Sequence, residues 1–274
     1  MLTLANGIWG ARCGKSARRV LLGETRSSDH AYSVRGARES GALRQAPHGL
    51  PSSRLVSTIL LDEWFETVVK PRLKGEAYEV RFADDFILCF QYREDAEKVL
   101  DVLKKRFAKY GLTLHPDKTR LMEFGRKALA QSEKPGGSKP ATFDFLGFTH
   151  ICKRSRKGNF TIHVRTMRKR LRRSLKAMTA WCREHRHDPV DEQQTALNRK
   201  LRGHYQYYGR STNFRSVLEF YERAKRIWQK WLNRRSRGNP LNWSAYEQLL
   251  RRHPLLRPRL SRPWPPTPVP VSSL

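Results

Sequence analysis

The sequence predicts an α+β protein, with an antiparallel sheet covered by a packing helix first and an all-helical segment after it. Three observations carry this prediction. Tyr78, Val80 and Phe82, then Phe86, Leu88 and Phe90, recur at every second position on the two sides of an acidic pair, as in two half-buried strands. The next twenty residues repeat their apolar positions at helical spacing. Beyond about residue 166 the helical period is the only one left. At 274 residues the chain can bury a sizeable core in one or two domains. Changes of pattern divide it into 1–54, 55–165, 166–252 and 253–274.

Residues 1–54 are dominated by Gly, Ser and Arg, hold neither apolar period for long, and read as disordered. From Leu55 a helix is expected, with Val56, Ile59, Leu60, Trp64, Phe65 and Val68 on one stripe, Asp62 and Glu63 early, and Pro71 ending it. Tyr78, Val80 and Phe82, then Phe86, Leu88 and Phe90, predict a β-hairpin over 78–91 with its tip at Ala83 to Asp85. Ala96, Val99, Leu100, Leu103, Phe107 and Tyr110 predict the packing helix, which has acids at its start and Gly111 at its stop. Short strands are expected at Leu112 to His115 and, after the Pro116-Asp117 turn, at Thr119 to Phe124. Residues 125–141 read as a polar loop. Thr142 to Thr149 reads as a strand with a glycine where something approaches closely, paired with Asn159 to Val164 across the basic turn Lys153 to Gly158. Helices are expected at about 166–186, 191–208, 214–236 and 243–252, followed by an extended, peripheral tail from Pro254 to Pro270.

Lys and Arg number 55 against 25 Asp and Glu, a net charge of +30. Solubility does not require so much charge, so a polyanionic partner is expected. The excess is lopsided, with residues 151–274 holding 30 Lys or Arg and 7 Asp or Glu. Nucleic acid suits it better than membrane. The basic stretches are interleaved with aromatics, and no apolar run of about 18 residues exists. Arg199, Lys200, Arg202 and Arg210 around Tyr205, Tyr207 and Tyr208 offer phosphate contacts together with flat rings for unpaired bases. Trp228, Trp231 and Phe220 read as core, and His204 as structural. Cys13, Cys89, Cys152 and Cys182 are too far apart for a Cys-x-x-Cys zinc module or a disulfide framework, and a reducing bacterial cytoplasm is the expected setting.

Asp84 and Asp85 are where the chain shows its chemistry. Two carboxylates at a tight turn repel each other unless they are exposed or neutralised by a hard, oxygen-seeking cation, for which Mg2+ is the expected choice. Five motifs then occur in order over about 200 residues: Leu61-Asp-Glu-Trp-Phe65, Arg81-Phe-Ala-Asp-Asp-Phe86, Leu114-His-Pro-Asp-Lys-Thr119, Phe143-Asp-Phe-Leu-Gly-Phe148 and Leu197-Asn-Arg-Lys-Leu-Arg-Gly-His-Tyr-Gln-Tyr-Tyr-Gly209. In that order they resemble the C-terminal two-thirds of a bacterial group II intron reverse transcriptase and maturase.

The resemblance implies that 55–165 is a partial palm, and that 166–252 is a thumb with maturase-type RNA-binding helices. Intron RNA, or an RNA/DNA duplex, would be the partner. Asp84 and Asp85 would be two of three carboxylates holding Mg2+. Lys118 matches a lysine the family keeps beside its active site, and equally fits a solvated charge after a turn. The family's third carboxylate lies on an earlier strand, and nothing before Leu55 reads as one. The expectation is a chain truncated at its N-terminus. An RNA-directed DNA polymerase by descent, a non-catalytic RNA-binding module and a nonfunctional remnant all stay open at this point.

Overall fold

The computed structural model describes residues 19–27, 59–82, 85–109, 112–114, 119–235, 238 and 241–260. They divide into two compact units, Met1–Thr142 with Cys152–Ile162, and Phe143–Ile151 with His163–Leu274.

In the first unit, β1 (Arg19–Ser27) enters where disorder was expected. Two wide-turn helical stretches follow, Ile59–Glu63 and Phe65–Val69. The expected helix is thus present, although wound more loosely than an α-helix. Next come β2 (Ala77–Phe82) and β3 (Asp85–Phe90), helix α1 (Arg93–Lys109), β4 (Leu112–Leu114) and β5 (Arg120–Glu123). β2 and β3 pair antiparallel from Ala77–Phe90 to Phe82–Asp85, which is the predicted hairpin. β3 also pairs antiparallel with β1, from Arg19–Phe90 to Glu24–Asp85. The far side of β1 carries β5 along Arg19 to Leu22 and β4 along Thr25 to Ser27.

The correction at β1 has a physical cause that the sequence displays elsewhere. Phe86-Ile-Leu-Cys-Phe90 is apolar without interruption, and all five side chains are buried. A strand with one wet face would have left Ile87 and Cys89 exposed. Burial on both faces is the pattern of an interior strand, and an interior strand needs a neighbour on each edge to satisfy its backbone. β2 supplies one neighbour and β1 the other. Within β1 only Val20-Leu-Leu22 is continuously apolar, too short a run to read as a strand alone.

The core of this unit forms where α1 and the wide-turn helix meet the face of Ala77, Phe86, Leu88 and Phe90. Ala96, Val99, Leu103 and Phe107 point into it from α1. Phe107 meets Phe86 edge-on, with ring centroids 6.3 Å apart, and Phe65 meets Phe90 at 6.2 Å. The Asp95 carboxylate accepts the backbone N–H groups of Lys74 and Gly75, each at 3.2 Å, fixing the entry to β2. The expected loop at 125–141 contains a short helix, α2 (Arg126–Ser132), anchored by buried Leu129.

The second unit opens with a second correction. The strand expected at 142–149 is two strands, β6 (Phe143–Phe145) and the start of β7 (Phe148–Arg154), folded at Leu146-Gly147. Both turn residues take positive φ, 49° and 79°, which fits a tight hairpin turn. β8 (Phe160–Thr166) pairs with β7 as expected. The helices are α3 (Arg168–Glu184), α4 (Val190–Tyr208), α5 (Phe214–Leu232) and α6 (Trp243–Arg252), close to the predicted spans. Their core joins Leu175, Leu201, Val217, Phe220, Trp228 and Tyr246. Two buried polar pins orient it. Trp228 donates from Nε1 to Gln193 Oε1 at 2.9 Å. The Asn213 side chain accepts from Thr166 N–H at 2.8 Å and donates to Tyr208 C=O at 2.8 Å.

The chain does not divide once at 165/166: Phe143–Ile151 and the end of β8 go with the helices, and Cys152–Ile162 stays with the first unit. Tyr207 holds the turn through Leu146 C=O, and Asn213 holds the end of β8 through Thr166 N–H. The tail from 253 is also not peripheral over its described part. Leu255 is buried, Gln194 and Asn198 both donate to Pro254 C=O, and Leu256 N–H donates to Asn198.

The double pairing of β1 can be tested with Leu22→Pro, which removes an N–H from a strand paired on both edges. Amide protons of Asp85–Phe90 are expected to lose most of their hydrogen-exchange protection. Unchanged protection would show that β3 does not rely on β1.

Candidate active site and nucleic-acid surface

The acidic hairpin sits at one end of the first unit's sheet. Asp85 is exposed as the first residue of β3, in register with Phe82 of β2. Asp84 and Lys118, the other predicted catalytic residues, lie outside the described residues. On the other edge of β3, the register pairs Asp85 with Glu24 of β1. Directly opposed residues on antiparallel strands have their Cα atoms about 4.5 to 5.5 Å apart. Three carboxylate-bearing residues, Glu24, Asp84 and Asp85, are therefore neighbours in register or in chain. Glu24 is the residue that sequence reading missed. Its signal was indirect, because it depends on recognising that β3 needs a second neighbour. Among the described residues no three His, Cys, Asp or Glu gather as a metal-binding group.

Behind the hairpin, two of the quoted motifs meet. Arg81 of Arg-Phe-Ala-Asp-Asp grips Asp62 of Leu-Asp-Glu through Nε and, at 2.8 Å, through its terminal nitrogen. This two-pronged contact ties the wide-turn helix to β2. Beside it lies Glu79, whose Oε1 is buried without a hydrogen-bond partner. Burial pushes the Glu79 carboxyl up to about 9, and a shared hydrogen bond with Asp62 and the Asp62 charge push the same way, while Arg81 opposes. These influences favour the protonated, uncharged form of Glu79 beside Asp62.

In the second unit the predicted nucleic-acid residues separate into roles. Arg199, Lys200 and Arg202 are exposed on α4, and Lys200 lies 5.2 Å from the Trp181 ring of α3. Tyr205 is not available to a base. Only 5% of it is exposed, it belongs to the helical core, and its hydroxyl donates to Leu256 C=O. Its position on the inward stripe with Leu197 and Leu201 decides this.

Tyr207 remains 36% exposed and donates to Leu146 C=O at 2.8 Å, with its ring stacked on Phe148 at 5.7 Å. Tyr208 packs edge-on against Phe148 and against Gly147, where a Cβ would lie 3.1 Å from its hydroxyl. The glycine expected to allow close approach thus admits a tyrosine of the same unit. Burial raises both tyrosine hydroxyls, opposed by Arg170 and Arg210 at Tyr207 and by Arg170 and Arg173 at Tyr208. Arg170 and Arg173 of α3 therefore belong to this surface too. Arg210 is half-buried, with its Nε enclosed. His204 is buried against Phe220 at 3.7 Å and held down to about 4, consistent with the structural role expected of it.

Two further expectations are answered here. Cys89 is disulfide-bonded, against the reading from cysteine spacing, while Cys152 and Cys182 are free and buried. No described helix is long and apolar enough to cross a membrane.

Residues 19–150 match the family model described as reverse transcriptase (RNA-dependent DNA polymerase). This part of the chain, β1 to the start of β7, is thus similar to a reverse transcriptase domain. The match begins at β1. No curated protein matches the chain.

The Glu79 environment predicts a pH dependence. Folding raises this carboxyl, so between about 4.5 and 9 the folded state holds a proton that the unfolded state has released, and stability falls as pH rises through that window. Glu79→Gln keeps a neutral donor in place and should flatten this slope in denaturant unfolding from pH 5 to 9. An unchanged slope would mean that Glu79 is ionised in the fold.

Proposed function

We propose that the chain is an RNA-directed DNA polymerase of the group II intron reverse transcriptase and maturase type. The observation that supports it best is the pairing of Glu24 with Asp85 inside the stretch that matches the reverse transcriptase model. The residue opposite the acidic hairpin is itself a carboxylate. On this reading the acidic set is complete, with Glu24 where an aspartate was expected.

The donor set fits Mg2+, since carboxylate oxygens are its preferred ligands and the described member, Asp85, faces solvent. Asp84, Asp85 and Glu24 would hold it. Bound Mg2+ would activate the primer 3′ hydroxyl and offset the charge developing on the transferred phosphate. The chain's own part is to hold the carboxylates still. β3 is clamped between β1 and β2, and β2 is held from behind by the Arg81–Asp62 contact. Lys118 is proposed to place its ammonium toward the leaving pyrophosphate. Arg199, Lys200 and Arg202, with Arg170, Arg173 and the exposed Tyr207, would bind the phosphates and bases of intron RNA.

Primer extension on a poly(A) template with Mg2+ tests the catalytic part. The full chain is expected to synthesise DNA, and Asp85→Asn and Glu24→Gln should each lower the rate by about 100-fold or more. No synthesis by the full chain overturns the polymerase reading, and full activity of Glu24→Gln overturns the place given to Glu24. For RNA binding, replacing Arg199, Lys200 and Arg202 together with Ala should reduce the slope of log affinity against log salt by about 2. An unchanged slope would remove α4 from the RNA surface.

A further inference from the structure

We infer that the first unit carries a second nucleic-acid surface, formed by α2 with its following loop and by the turn that joins β7 to β8, and that it takes the phosphate backbone of structured RNA. The inference rests on the reading of the chain as RNA-binding, and it adds a site distinct from both the acidic hairpin and the helices of the second unit.

Residues 125–142 and 152–158, all in the first unit, hold eight Lys or Arg and a single acid, Glu133. That acid is already engaged, since Arg154 grips it with two nitrogens, one at 2.6 Å. Seven cations are left with no acid in these segments to balance them. Among the described residues no ion pair reaches Lys153, Arg156 or Lys157, and all three are exposed. Like charges crowded on a short turn repel each other, and nothing in the packing of the turn requires them. A polyanion placed across them would remove that repulsion and release its own counterions.

The turn is closed by Ser155 N–H to Asn159 C=O at 2.7 Å and by Gly158 N–H to Ser155 C=O at 2.9 Å. The Ser155 hydroxyl accepts from Asn159 N–H at 3.1 Å, and Arg154 donates to Gly158 C=O at 3.0 Å. Gly158 has φ of 76°, which lets the chain reverse here, and nothing lies within 4 Å of where its Cβ would be. α2 is tied to the same strand at both ends, through Gly125 N–H to Cys152 Sγ at 3.2 Å and through Glu133 to Arg154. The backbone donors and acceptors of the turn are thus largely used internally, and its side chains are offered outward from a fixed frame. Such a frame lowers the ordering cost of binding. Fixed cations on an ordered turn contact phosphates and do not read bases, so the surface should bind by backbone and shape.

The test uses the full chain and a structured intron RNA, with binding titrated against salt. The probe variant replaces Lys153, Arg156 and Lys157 with Ala. An equal-charge control replaces Arg251, Arg252 and Arg257, which are exposed in the second unit. The probe variant is expected to bind about tenfold or more weakly at 0.15 M salt, with the salt slope reduced by about 2, and the control is expected to change little. The exposed side chains removed have no partner in the turn, and unchanged thermal unfolding will confirm that the fold persists. If the full chain binds RNA and the probe variant binds equally well, the surface is overturned while the RNA-binding reading stands. If probe and control lose affinity equally, the effect is general charge and the surface is again overturned. If the full chain binds no RNA, both readings fall.

Discussion

The antiparallel pairing of β1 with β3 is the interaction on which the rest of the first unit depends. β3 is buried along its whole apolar length, so its backbone groups have no water to turn to and must be paired on both edges. Once β1 takes the open edge, β4 and β5 can extend the sheet from the far side of β1. The same pairing brings Glu24 to the acidic hairpin. The ladder that satisfies the core strand therefore also sets two carboxylate-bearing residues, Glu24 and Asp85, in register.

Charge is handled differently in the two halves of the chain. Near the acidic hairpin, burial is tolerated by removing charge. Burial and the neighbouring Asp62 favour the protonated form of Glu79, and Arg81 balances Asp62. In the second unit and on the β7–β8 turn, the cations stay exposed and largely unbalanced, and the cores beneath them are built from Leu, Trp and Tyr with a few satisfied polar pins. The first arrangement stabilises the frame of a site. The second leaves a field of positive charge for a polyanion, at some cost from self-repulsion.

The hairpin at Leu146-Gly147 shows how local sequence can be read correctly and still misplaced. The glycine does permit a close approach, but the group that approaches is Tyr208. Tyr205, Tyr207 and Tyr208 look equivalent as aromatic residues in a basic stretch. Two residues of helix, a rotation of about 200°, separate a core position from an exposed one, which makes Tyr205 a packing residue and leaves Tyr207 at the surface.

What the sequence determined by itself was whatever depends on short range. That covers the hairpin around the acidic pair, the α1 stripe, the four late helices, the excess of positive charge and the order of motifs that resembles an intron reverse transcriptase. Each is written in neighbouring residues through period, caps and turns. Only the tertiary structure decided that residues 19–27 are a strand, that Glu24 stands opposite Asp85, that Tyr205 is core, and that β6 belongs with the helices. These depend on partners far along the chain, and a strand as weakly patterned as β1 exists because another strand needs its hydrogen bonds.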